Sequence, residues 1–139
     1  MEIINEFYDL LEELDDNQWD RKLNSKWTIK DCVAHLVGWE REAVKRLREE
    51  WETGEKPWFL IDEDFDEFNK KSVEEFKGYN SKDLIKEWKY WQKKLDEEIK
   101  KIGERNLKAE PEMFGWVFDE TGDSHYLYHL KQIKKVLKR

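Results

Sequence analysis

The chain contains three histidines, His35, His125 and His129, and two of them stand four residues apart near the C-terminal end. On a helix that interval places two side chains on one face, one above the other. Two imidazoles so placed can share a cation, and a third from a neighbouring helix supplies three of the four corners of a tetrahedron. One position then stays open, the form of a catalytic rather than a structural zinc-type site. The other reading is three half-buried histidines satisfied by ordinary hydrogen bonds, and spacing alone leaves both open. The sequence has no His-Glu-x-x-His, no cysteine pair and no zinc-finger spacing. Di-iron bundles need a glutamate three residues before a histidine, where this chain has Cys32, Gly122 and Tyr126. A metal reading therefore means one mononuclear ion.

Cys32 lies one helical turn before His35 and is a candidate fourth ligand, although a lone cysteine reads first as a small core residue. Trp39, Trp116 and Tyr126 are close in sequence to the histidines. They are candidates for the aromatic wall of a cleft that receives a small-molecule substrate, with packing as the first reading of each. Glu40 and Glu42 read as a solvated face, and no residue stands out as a general base.

The elements that must carry these residues are helical almost throughout. Ile3, Ile4, Phe7, Leu10, Leu11 and Leu14 follow the helical repeat and predict a first helix, which Asp15-Asp16-Asn17 breaks. After a connector with Trp19 and Trp27, Thr28 and Asp31 form a capping-box pattern that opens a second helix. Its apolar stripe runs Ile29, Cys32, Val33, Leu36, Val37, Ala43, Val44, Leu47 and Trp51, and His35 lies beside it. Gly54 and Pro57 end that helix. A loop over 56–64 precedes a short helix through Phe65, Phe68, Val73 and Phe76. Ser81 starts a third main helix that Gly103 closes, and 106–122 reads as less regular. The last helix carries Tyr126, Leu130, Ile133 and Leu137 as its core stripe, with the line of His125, His129 and Gln132 bordering it. Four long amphipathic helices predict one all-α domain over 1–139, a four-helix bundle with a short extra helix in the long middle connection.

Charged residues make up 42% of the chain and apolar ones 38%, but eight Trp, five Tyr and seven Phe make a compact core feasible. The net charge of −7 argues against nucleic-acid binding. Lys131, Lys134, Lys135, Lys138 and Arg139 read as cations at the negative end of the last helix rather than as a membrane anchor. One cysteine, no signal-like N-terminus and no apolar run of about 20 residues lead to the expectation of a cytoplasmic protein with no membrane partner.

Three stretches resemble a known family. Trp27-Thr28-Ile29-Lys30-Asp31, Ala34-His35-Leu36 and Gly38-Trp39-Glu40 are similar to the second-helix signature of DinB-like proteins, most nearly the ClbS/DfsB branch. Trp116-Val117, Thr121 and His125-Tyr126-x-x-His129 with Ile133 resemble the end of the same branch, and Asp64 to Asn69 its mid-chain segment. The resemblance implies a bundle of up-down-down-up character, often a homodimer. It also implies one divalent metal ion (nickel, zinc or iron) on the matching histidines, His35, His125 and His129. Implied activities are thiol transfer or isomerisation with a low-molecular-weight thiol, and hydrolysis that detoxifies a reactive natural product. Some members of that branch lack the full triad, so metal dependence does not fix the reaction. A metal-dependent hydrolase or S-transferase is the leading expectation. A non-catalytic metal-binding or stress-associated interaction module is the other.

Overall fold

The computed structural model describes residues 2–60, 65–120 and 123–139. Ile61, Asp64, Thr121 and Gly122, which entered the sequence reading, lie outside the described residues. Helices α1 (Glu2–Glu13), α3 (Ile29–Thr53), α5 (Ser81–Ile102) and α8 (Asp123–Leu137) are the four main elements. Shorter pieces connect them: α2 (Asp16–Trp19), a 3-10 turn (Trp58–Leu60), α4 (Phe65–Phe76), α6 (Glu104–Lys108) and α7 (Pro111–Glu120). None of the described residues belongs to a strand, and the one β-bridge joins Lys22 to Thr28. No described helix is long and apolar enough to cross a membrane.

The caps explain where the main helices begin and end. Thr28 accepts from the Asp31 N–H while Asp31 accepts from the Thr28 N–H, each at 3.1 Å, so two otherwise orphaned donors at the start of α3 are satisfied. At its other end Gly54 takes φ 74°, a left-handed conformation that costs a glycine little, and its N–H returns to the Glu50 carbonyl at 2.8 Å. Asn80 caps α5 through the Asp83 N–H, and Gly103 ends it at φ 98°.

Pairings along the main helices set their directions. Glu6 meets Lys134 and Glu13 meets Arg139, so α1 and α8 run in the same sense. Phe7 and Trp88 pack at 5.0 Å between ring centroids, and Trp88 lies 5.9 Å from Tyr126, which bonds Glu40. Farther along, Arg48 pairs with Glu98, so α3 and α5 also run together. Cys32 faces His129 whereas Glu40 faces Tyr126, which sets α3 against α8. The order is up-down-down-up. One apolar cluster surrounds Trp88, with Phe7, Leu11, Leu36 and Leu130, and a second surrounds Trp39, with Leu47, Phe59, Leu95, Trp116 and Val117.

Three expectations from the sequence need correction. The described part of the stretch expected to be irregular, 106–120, is largely helical: Pro111 occupies the first turn of α7, where its missing N–H leaves no helical bond unmade. Phe114 and Val117, three apart, bury one face of that helix. Trp51, assigned to the α3 stripe, is 44% exposed, with its ring against Phe114. Glu40, read as solvated, is 1% exposed in the bundle interior, because its helix is enclosed on that side by α5 and α8.

Helix α4 lies unusually close to α3. A Cβ added at Gly38 would fall 2.6 Å from the Ser72 Cβ and closer still to its hydroxyl, so only glycine admits this approach. Ser72 is buried there. Arg41 and Glu75 form an ion pair one turn further along the same contact.

Candidate metal centre

Three side chains from two helices converge on one point beside the bundle core. His35 projects from the second turn of α3, His125 from the first turn of α8, and His129 from the turn above it. One ring nitrogen from each lies within 4.8 Å of the other two. The closest pair is His125 Nε2 and His129 Nε2 at 3.1 Å. The His35 ring centroid stands 5.5 Å from that of His129 and 6.0 Å from that of His125, edge to face in both cases. Among the described residues no carboxylate or thiol joins this group.

The opposite sides of two rings are held by amide oxygens. Asn69 Oδ1, from α4, accepts a hydrogen bond from His35 Nδ1 at 2.8 Å and one from Trp39 Nε1 at 2.7 Å. Gln132 Oε1 lies at hydrogen-bond distance, 3.0 Å, from His129 Nδ1. Such outer contacts orient histidines that ligate metals. Trp27 covers the His35 ring at 4.9 Å between centroids. A local turn places it: Asn24 Oδ1 accepts from the Lys26 and Trp27 N–H groups, and the Trp27 carbonyl accepts from the Leu23 N–H.

Electrostatics keep two of the imidazoles neutral. Burial pushes His35 down to about 3, with the bond to Asn69 opposing it and the neighbouring histidines adding to it. Burial also pushes His129 down to about 4, helped by His125 and opposed by Gln132. Neutral imidazole is the form that offers a lone pair to a cation. Cys32 Sγ lies 3.4 Å from His129 Nδ1, the nitrogen turned away from His125, and so sits behind the ring rather than at the shared point. Its thiol is fully buried and pushed up to about 12 by that burial and by Asp31. Cys32 is thus a core residue in this arrangement and not a fourth ligand.

The aromatic candidates occupy different places. Trp39 stands behind Asn69, stacked on Trp58 at 5.9 Å and packed against Phe59 and Phe68. Trp116 belongs to the same cluster and donates to Glu50 at 3.3 Å. Tyr126 turns into the bundle and donates to Glu40 at 2.6 Å. An open cleft of about 600 Å³ lies next to the site, lined by Ser25, Trp27, Asp31, Asn69 and Lys70 among others but by none of the three histidines. Trp27 and Asn69 touch both this cleft and His35. The sequence named neither residue, nor Gln132, as a site member; Trp27 stood in a motif, Asn69 ended a segment, and Gln132 lay on the line of His125 and His129.

A family model described as the DinB superfamily matches residues 2–133. No curated protein and no solved structure matches the chain.

Proposed function

The chain belongs to the DinB superfamily, and from that premise we propose that it binds one divalent metal ion on His35, His125 and His129 and uses it on a small electrophilic molecule, by hydrolysis or by transfer of a low-molecular-weight thiol, in detoxification or stress resistance. The observation that carries this reading is the convergence of three imidazole nitrogens, brought by two helices to within 4.8 Å of one another. The donor set fits the group: three imidazole nitrogens suit zinc, nickel or iron(II), whereas magnesium and calcium call for oxygen ligands. When bound, such an ion supplies Lewis acidity toward water, a thiol or a substrate oxygen.

The protein's own residues hold and enclose. His35 and His129 stay unprotonated at neutral pH, so no proton competes for the ligand nitrogens. Asn69 and Gln132 restrain the rings from behind. A substrate entering by the cleft meets Trp27 and Lys70. Trp39 backs Asn69 from inside, while Trp116 and Tyr126 have their polar ends committed to Glu50 and Glu40. A homodimer, implied by the family resemblance, and a cytoplasmic location, expected from the sequence, are part of the proposal.

Elemental analysis of protein purified without an affinity tag tests the reading. One equivalent of a late first-row divalent metal is expected, and His129→Ala should bring it to near zero. Unchanged metal content in His129→Ala would remove the triad assignment.

A further inference from the structure

The outer contacts of His35 do more than restrain it. Trp39 Nε1–H is a donor only, with no lone pair to accept a hydrogen bond. The Asn69 atom 2.7 Å from it must therefore be the amide oxygen, which settles the orientation of that side chain. The same oxygen lies 2.8 Å from His35 Nδ1, and an oxygen without a hydrogen can pair there only with an N–H. His35 must then carry its proton on Nδ1 and keep Nε2 as a bare lone pair. The tautomer of a buried histidine in α3 is thus dictated by an indole one turn along the same helix, through an amide on another helix.

The reach of that amide depends on how closely α4 docks. His35 and Gly38 are three apart on α3, and Asn69 and Ser72 are three apart on α4. Gly38 receives Ser72 at a separation that excludes any side chain, one turn beyond the His35–Asn69 contact. The missing Cβ at Gly38 sets the interhelical distance across which Asn69 reaches His35.

We propose that Asn69 is a positioning residue that selects the Nδ1–H tautomer of His35 and thereby presents Nε2 to the metal, with Trp39 locking its amide and Gly38 setting its distance. The proposal rests on the three-histidine reading for its purpose, but its structural content can be measured on the metal-free protein. Asn69 makes no bond to the metal or substrate in this scheme; it acts through His35.

Nitrogen-15 NMR of histidine-labelled, metal-free protein reads the tautomer directly, and zinc(II) titration reads the consequence. In the unaltered protein His35 should show the Nδ1–H form alone. Asn69→Ala should admit the Nε2–H form and weaken zinc about 10–100-fold, the range found when such outer contacts are removed. Asn69→Asp keeps an acceptor at the same place and should keep both the tautomer and affinity within a few-fold. Trp39→Phe retains bulk but releases the amide, so a mixture of tautomers is expected. Gly38→Ala should disturb the tautomer with Asn69 intact. Circular dichroism confirms that each variant is folded. An unchanged His35 tautomer in folded Asn69→Ala, or Asn69→Asp as weak as Asn69→Ala, would overturn the inference. Failure of the unaltered protein to take up zinc would instead overturn the proposed function, since the tautomer would still report on Asn69.

Discussion

Glu40 is a carboxyl that the bundle closes over completely, and its behaviour with pH follows from that enclosure. Burial raises it to about 8 against an ordinary 4.5, with the Tyr126 hydroxyl pulling the other way. The Trp88 indole N–H pulls in the same direction as Tyr126, and Asp96 adds to the upward push. The folded protein therefore holds a proton here that the unfolded chain has lost, so stability falls as pH rises from about 4.5 to 8. Glu50, raised to about 7 by burial, acts in the same sense up to that pH. His35 and His129 act in the opposite sense: their contribution is present above 6.5 and is lost as pH falls toward their lowered values. Between pH 7 and 8, Glu40 is the one among these four that still titrates. The denaturation midpoint of the metal-free protein should drop across that interval, and Glu40→Gln should flatten the drop. An equal slope in both proteins would show that Glu40 is not the group responsible.

Among the elements, α3 carries its own instructions and α4 does not. Thr28, Asp31 and Gly54 mark both ends of α3 in the sequence, and the structure shows each acting as its chemistry requires. Thr28→Ala should cost about 1 kcal/mol through loss of the cap. Gly54→Ala should cost about 1 kcal/mol through its positive φ, since nothing within 4 Å of the added carbon would clash. Both losses should show as lower urea midpoints with metal stoichiometry unchanged, because neither residue touches the histidines. A Gly54→Ala protein as stable as the parent would contradict the strain argument. For α4 the periodicity of Phe65, Phe68, Val73 and Phe76 revealed a helix but not its neighbour. Nothing local in the sequence says that Gly38 will receive Ser72, because that contact joins residues a whole helix and loop apart.

At the scale of the molecule, the bundle has an apolar core of its own, so the proposed ion is expected to add to its stability and not to create it. The two apolar clusters are built around Trp88 and Trp39, from all four main helices and from the shorter pieces that connect them. Surface pairs such as Glu13 with Arg139 add at most about 1 kcal/mol each. Removing a bound ion should therefore lower the melting temperature on the order of 5–15 °C, the loss expected when a ligand at about 100 times its Kd is withdrawn. Helical content should stay intact at 25 °C. Loss of helix on chelation would mean that the ion is structural, and would favour a non-catalytic metal-binding module over an enzyme. The two readings separate cleanly because a structural site contributes most of the folding free energy where one exists.

Periodicity, caps and breakers are local properties, and they alone determined the helical class, the ends of α3 and α5, the core stripe of α8 and the facing of His125 and His129 along one helix. Spacing on a helix is set by its geometry whatever surrounds it. Which helices meet is a matter of long-range packing, and only the tertiary structure decided that. It brought His35 to the other two histidines, turned Cys32 behind His129, enclosed Glu40 and placed Asn69 on His35. Those outcomes depend on distances between segments remote in the chain, where a single absent carbon at Gly38 moves a whole helix. No local pattern encodes them.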